Sequence, residues 1–219
     1  MICRSRGIVF VHIPKTGGTT IERLLWTRDD HTHENLYGST RNQRLLRPPW
    51  KLPANKYQLA ALQHLTAAQV MAEIGEPHFR ACFSFSIVRN PFDRLVSQFE
   101  YTRQERAELR RYLGITRESS FKTYLRRLKR RKHPQWQPQA EFLFDDDRAQ
   151  LVDRIFRMEE MDAVVAELRS RYALTLDHTP HLNKTERKSF VEYYDDEARE
   201  LVEELYRDDL RLLDYRFEP

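Results

Sequence analysis

The stretch Ile8–Leu25, IVFVHIPKTGGTTIERLL, decides how the chain is read. Its first part, Ile8-Val9-Phe10-Val11-His12-Ile13, is short, β-branched and aromatic, and is closed by Pro14, which is the composition of a buried strand. Beyond Gly17 and Gly18 the apolar residues Ile21, Leu24 and Leu25 recur at helical spacing, with Thr19 or Thr20 placed to cap the helix. A glycine turn opening onto a helix N-terminus presents backbone N–H groups and the positive end of the helix dipole, and that combination binds phosphate-like anions. Lys15 adds a mobile positive charge at the same point. The segment reads as an anion cradle between a strand and a helix.

The same pattern returns further along. FRACFSFSIV, Phe79 to Val88, reads as a second buried strand, and PFDRLVSQFEYTRQERAELRRYL, from Pro91, reads as a helix with proline in its first turn. Between the two cradles, roughly Asp29 to Lys56 is polar and irregular, the kind of stretch that is functional or mobile in a compact domain. YQLAALQHL reads as a short strand, and TAAQVMAEIG as a helix capped by Thr66 and stopped by Gly75. Helices are expected near Ser120–Lys132, Met161–Tyr172 and Tyr194–Tyr206, the last with Ala198, Leu201, Val202 and Leu205 on one face, and a strand near Val152–Met158. Strands alternating with helices predict an α/β fold with a central, mainly parallel sheet flanked by helices.

Composition sets the remaining bounds. The 219 residues contain no Ser/Gly-rich linker, so a single domain over residues 1–219 is expected. The first apolar run is too short to span a membrane and lacks the layout of a signal peptide, so no transmembrane segment is expected. Cys3 and Cys82 are the two cysteines, which excludes a disulfide framework and a multi-cysteine metal site and fits a reducing cytoplasm. No convincing ligand cluster for a metal appears. The net charge of +4 favours anionic partners without separating nucleotides, acidic glycans, nucleic acid and lipid.

In an open parallel sheet, ligands collect beyond the carboxyl ends of the strands, so Lys15 and Arg89 are expected at one crevice. A planar guanidinium with a nearby hydroxyl suits a phosphate monoester, and Ser97 follows Arg89 by two turns of helix. The alternatives are an arginine paired with Asp93 and an ordinary helix serine.

Here the residues resemble a known family. HIPKTGGTT is similar to the 5′-phosphosulfate loop of sulfotransferases, and RNPFDRLVSQF to their 3′-phosphate motif, with the same arginine-to-serine spacing. The likeness extends to PQAEFLF, to VDRIFRMEEMDAV, and to the tail HLNKTERKSFVEYYDDEARELVEELYRDDLRLLDYRF. The branch it resembles is that of the carbohydrate sulfotransferases of heparan 2-O- and chondroitin type, and a soluble, bacterial relative of that branch is expected. The resemblance implies a P-loop-like domain and the donor 3′-phosphoadenosine 5′-phosphosulfate (PAPS), with adenosine 3′,5′-bisphosphate as product. It also implies an acceptor hydroxyl on a carbohydrate or glycoconjugate, acidic or lipid-linked, and no nucleic-acid partner. Two readings compete. A Walker A loop would make the chain an ATP-dependent kinase, but it places lysine after its second glycine, whereas Lys15 precedes Gly17 and Gly18. A non-catalytic polyanion-binding module would explain the basic charge but not two strand–loop–helix units.

The same resemblance assigns roles. Lys15 neutralises, or protonates toward, the leaving phosphate oxygen. The backbone N–H groups of Thr16, Gly17, Gly18, Thr19 and Thr20, with the threonine hydroxyls, hold the 5′-phosphosulfate. Arg89 and Ser97 hold the 3′-phosphate. Thr185-Glu186-Arg187-Lys188 falls where the family often has a second basic loop over the nucleotide, so Arg187 and Lys188 are further candidates, with a solvated turn as the alternative. Sulfuryl transfer, like phosphoryl transfer, draws most of its catalysis from positioning and charge stabilisation.

The acceptor hydroxyl needs a base, and a neutral imidazole suits that work. His64 is the expected base, because the branch resembled places a histidine at the end of this segment. His12 lies on the strand face of Ile8 and Phe10 and reads as a sheet histidine. His31, His33 and Glu34 are the fallback bases, and Glu159 reads as a structural residue. In FKTYLRRLKRRKH, Phe121, Tyr124, Leu125 and Leu128 form a core-facing stripe, while Lys122, Arg126, Arg127, Lys129, Arg130, Arg131 and Lys132 cover the rest. That basic face is either solvated or recognises an acidic glycan or anionic lipid. Trp50 and Trp136 either stack on a sugar or pack between helices.

Overall fold

The computed structural model describes residues 1–3, 6–25, 64–172 and 188–218. It falls into two compact units, one of Met1–Val88 with Glu141–Asn183 and one of Arg89–Ala140 with Lys184–Pro219.

The first unit is built on a sheet of strands β1 (Ile2–Cys3), β2 (Ile8–Val11), β3 (Phe83–Val88) and β4 (Arg154–Arg157), in that order among the described residues. β2, β3 and β4 run parallel, with Val11 opposite Ser86 and Val88 opposite Arg157, and β1 adds antiparallel to β2. All four residues of β2 are buried, as a strand covered on both faces requires. Side chains alternate, so Ile8 and Phe10 share a face with Phe83, Phe85 and Ile87. Onto that face pack Ile21, Leu24 and Leu25 of the Gly18–Leu25 helix and Val164, Val165 and Leu168 of the Met161–Tyr172 helix. The alternate residues of β3 are serines, which burial tolerates because both are bonded. Ser84 gives its N–H and Oγ–H to Asp153 Oδ2 at 2.7 and 2.8 Å, and Ser86 Oγ donates to Val11 O at 2.6 Å. The fold is thus α/β with a mainly parallel sheet flanked by helices, and parallel pairing sets the carboxyl ends of β2 and β3 at one edge.

The second unit is helical. Phe92, Leu95, Val96 and Phe99 of the Pro91–Glu105 helix meet Phe121, Tyr124, Leu125 and Leu128 of the Phe121–Leu128 helix, and Ala198, Val202 and Tyr206 from the Asp196–Leu205 region. Ser120 and Asp195 cap the last two helices by accepting from Thr123 N and Ala198 N.

Several elements differ from expectation. Strand β2 ends at Val11, leaving His12 and Ile13 in the loop. The residues Phe79–Ala81 belong to a helix, Glu76–Ala81, because Gly75 at φ +84° ends the preceding helix and Pro77 favours starting another at once. The long helix after Pro91 breaks at Arg106 into Pro91–Glu105 and Ala107–Leu113. The strand β1 and the helix Arg207–Leu212 were not expected. Thr66 caps Ala67–Ile74 as expected, its side chain accepting from Gln69 N while Gln69 reaches back to Thr66 N. The irregular Asp29–Lys56 stretch and the YQLAALQ strand lie outside the described residues.

Candidate functional site

The loop after β2 turns sharply. Lys15 has φ +69° and Gly17 φ +81°, with Thr16 between them outside the left-handed region. Left-handed backbone costs a non-glycine residue about 1–2 kcal/mol, so Lys15 is held there against its own preference. Left-handed residues in such a tight turn can bring successive N–H groups to one concave side, the arrangement that makes a backbone anion nest. Thr16 is fully buried and its hydroxyl donates to Ile13 O at 2.9 Å, so it shapes the turn instead of offering a proton to a ligand. The Thr20 N–H closes onto Gly17 O at 3.0 Å and leaves the set of cradle donors. The helix begins at Gly18, which places Thr19 and Thr20 inside the first turn and not ahead of it as a cap. By helix geometry the N–H groups of Gly18 and Thr19 have no intrahelical partner. Thr19 is exposed and Lys15 half-buried at the rim of the turn.

Gly18 is required by a close approach. An added Cβ would overlap the His12 imidazole, with Cε1 2.6 Å away and Nε2 and Cδ2 nearer still. His12 is buried, stacks on Phe10 at 5.3 Å between ring centres, and meets the His64 ring edge-on at 4.7 Å. Burial, then the nearby His64, hold His12 well below the ordinary imidazole range, so it is neutral. Its Nδ1 has no hydrogen-bond partner among the described residues. His12 is therefore not a satisfied sheet histidine; its ring sits between the acceptor-base candidate and the start of the anion loop's helix.

His64 precedes the Thr66 cap and places Nδ1 2.9 Å from His12 O. A carbonyl only accepts, so Nδ1 is the donor, and the lone pair of the neutral ring lies on Nε2. One unit thus brings together the Lys15–Thr20 loop, His12 and His64. The fallback bases His31, His33 and Glu34 lie outside the described residues, as do Trp50, Thr185, Glu186 and Arg187. Glu159 is exposed in a short turn, Met158–Glu160.

In the second unit Arg89 does pair with Asp93: Nε and Nη2 reach the same oxygen, Oδ2, at 2.7 and 2.6 Å. The Arg89 side chain is only 12% exposed. Asp93 and Ser97 share a helix face four residues apart, and the half-buried Ser97 hydroxyl has no hydrogen-bond partner among the described residues. Lys188 is exposed, 3.6 Å from Glu192.

The basic run divides. Lys122 pairs with Asp195 and Glu197, Arg126 with Glu197, and Lys129 with Glu204, so this half faces an acidic helix of the same chain. Hydrogen bonds from Lys122 and Arg126 hold Asp195 and Glu197, respectively, below the usual carboxylate range. Arg127, Arg130 and Lys132 are exposed and make no ion pair among the described residues, and Arg131 lies over the Tyr112 ring. Trp136 is buried and donates Nε1–H to Arg131 O at 2.7 Å, so it packs and does not present a sugar platform.

Sequence reasoning missed two buried polar residues, Gln139 and Asp209. The Gln139 side chain accepts from Arg89 N at 2.9 Å and donates to Arg89 O at 2.8 Å. Their only sequence signal was the family likeness of PQAEFLF and of the tail. Among the described residues no helix is long and apolar enough to cross a membrane. Compared with known proteins, the chain matches the family model described as Sulfotransferase family over residues 1–216. Neither a curated protein nor a solved structure matches it.

Proposed function

Because this chain belongs to the sulfotransferase family, whose members are enzymes that transfer a sulfuryl group, we propose that its donor is PAPS and its acceptor a hydroxyl of a carbohydrate or glycoconjugate. The observation that carries the reading is the loop after β2. Left-handed backbone at Lys15 and Gly17 shapes an anion nest at a helix start, and one histidine ring, His12, separates that helix start from an imidazole whose lone pair is on Nε2.

The reaction follows from these groups. The acceptor oxygen attacks sulfur while the bond from sulfur to the 5′-phosphate oxygen breaks, with the two oxygens in line. His64 Nε2 takes the acceptor proton. Lys15 and the N–H groups of Gly18 and Thr19 stabilise the charge that grows on the departing phosphate, and no reorganisation is needed at that moment. Thr16 supports the turn through Ile13, leaving Thr19 and Thr20 as the hydroxyl contributors. Arg89 and Ser97 take the 3′-phosphate, and adenosine 3′,5′-bisphosphate leaves. Arg187 and Lys188 are assigned to the nucleotide on family likeness alone.

The test is ligand stabilisation of the full chain. Adenosine 3′,5′-bisphosphate at a hundred times its Kd should add ~2.7 kcal/mol, a melting shift of roughly 5–10 °C for a chain of this length. Lys15→Ala should shrink that shift. An equal or larger shift from ATP with magnesium would reject the donor and favour a kinase.

The divided basic run points to an anionic acceptor and makes a second prediction. Charge reversal at Arg127 and Arg130 should raise KM for an acidic glycan several-fold without altering nucleotide affinity. The effect should fade with salt, since exposed charges are screened over ~8 Å at physiological ionic strength. Reversal at Lys122 and Arg126, which already hold acids of the Asp196–Leu205 helix, should lower Tm instead. Unchanged acceptor kinetics in the Arg127/Arg130 variant would leave that face merely solvated.

A further inference from the structure

Arg89 stands at an awkward place in the chain. Strand β3 ends at Val88, and the following helix begins with Asn90, whose side chain caps Phe92 N at 3.0 Å and whose carbonyl accepts from Arg94 N at 2.8 Å. The N–H and C=O of Arg89 therefore belong to neither element. The Gln139 side chain supplies both missing partners, meeting the peptide groups of one residue much as a neighbouring strand would.

Gln139 is itself fully enclosed, and so is Asp209. Asp209 Oδ2 accepts from Gln139 N at 2.9 Å and from Gln139 Nε2 at 3.3 Å, and Oδ1 accepts from Ala140 N at 2.7 Å. Both amide hydrogens and the oxygen of Gln139 are thus committed, which leaves its side chain one orientation. Arg94, 1% exposed, donates to Gln137 O at 3.0 Å and supplies the positive charge facing Asp209. Even so, burial pushes the Asp209 carboxyl up to about 6 against the pull of these donors and of Arg94. An enclosed carboxylate is costly unless paired and bonded. Here it is placed where it fixes the amide that fixes Arg89. Asp93 pairs with the guanidinium itself, while Gln139 holds the main chain of the same residue.

We propose that Gln139, oriented by Asp209, is a positioning residue that holds Arg89 ready for the 3′-phosphate of the donor. The proposal rests on the donor reading above. With the main chain of Arg89 fixed by Gln139 and its guanidinium already paired with Asp93, the arginine binds with less of the ordering cost a mobile one would carry. Neither Gln139 nor Asp209 touches the nucleotide.

The experiment measures binding of adenosine 3′,5′-bisphosphate and adenosine 5′-monophosphate to the full chain by calorimetry, in wild type, Gln139→Met and Arg89→Ala. Methionine keeps the volume and removes the hydrogen bonds. Gln139→Met should cut the preference for the bisphosphate about tenfold, the value of one to two hydrogen bonds, and change monophosphate affinity by less than about twofold. Arg89→Ala should remove that preference more completely. A wild-type preference in Gln139→Met beside a lost one in Arg89→Ala overturns the positioning role and spares the donor reading. Equal weakening toward both nucleotides makes Gln139 merely structural and also overturns it. An undiminished preference in Arg89→Ala removes the donor reading and the proposal together. If Gln139→Met does not fold, Asp209→Asn, which keeps one accepting oxygen and loses the other, is judged by the same ratios.

Discussion

His64→Ala is expected to lower turnover by about 10²–10⁴-fold, the usual cost of losing a positioned base, with affinity for adenosine 3′,5′-bisphosphate close to wild type. The expectation rests on a tautomer. His64 Nδ1 faces the carbonyl of His12 at 2.9 Å and must carry the proton, so Nε2 is the basic nitrogen. The capping box at Thr66, two residues on, fixes the backbone that presents the ring. The neighbouring His12 is held neutral by its burial and does not repel the imidazolium that forms during turnover. His64→Asn separates chemistry from structure, because a side-chain amide can still donate to the His12 carbonyl. It should recover the melting temperature without recovering the rate. A fully active His64→Ala protein with a lowered Tm would make the residue structural and move the base elsewhere.

The second large effect is structural. Gly18→Ala should lower Tm by roughly 2–12 °C, corresponding to ~1–3 kcal/mol of overpacking, and abolish measurable donor binding. The new methyl has nowhere to go. It would enter the His12 ring, which Phe10 stacks against and His64 meets edge-on. Relief requires moving either the buried ring or the first turn of the helix that shapes the anion nest. Gly17→Ala is the informative contrast. Its methyl would meet Met161 Cε, the far end of a flexible side chain, so its cost comes mainly from φ +81°. Combining Gly18→Ala with His12→Ala should recover part of the lost stability, since the two sites share one space. An unchanged Tm and donor affinity in Gly18→Ala would mean that the ring and the helix start are not in contact.

The sheet and its first loop were legible because their signals are local. A β-branched run, a glycine pair and a helical stripe suffice to place β2, the turn and the Gly18–Leu25 helix. The same holds for Thr66, Ser120 and the Met161–Tyr172 helix. What escaped depends on partners distant in sequence. Half of the basic run could not be told from a ligand surface until Asp195, Glu197 and Glu204 were seen opposite it. The hydroxyl of Thr16 looked like a ligand donor until Ile13 O was found to take it. Gln139 and Asp209 carry no periodicity, and an isolated glutamine or aspartate normally marks the surface. Helix Glu76–Ala81 was hidden because Phe79, Ala81 and Cys82 read as continuous with the apolar strand after them.

The helical unit is assembled from two stretches, Arg89–Ala140 and Lys184–Pro219, and the clamp on Arg89 closes across the same gap, since Asp209 follows Gln139 by 70 residues. During vectorial synthesis, the strands β2, β3 and β4 and the anion loop have all left the ribosome before Asp209 is made. Contacts of such long sequence separation form late, because chain closure must precede any gain from them. A nascent or prematurely terminated chain would therefore carry the glycine loop without a fixed Arg89. On the roles proposed above for the loop and for Arg89, it could meet a phosphate but would discriminate poorly between nucleotides, so discrimination would be gained late in synthesis and lost to a stop codon before Asp209.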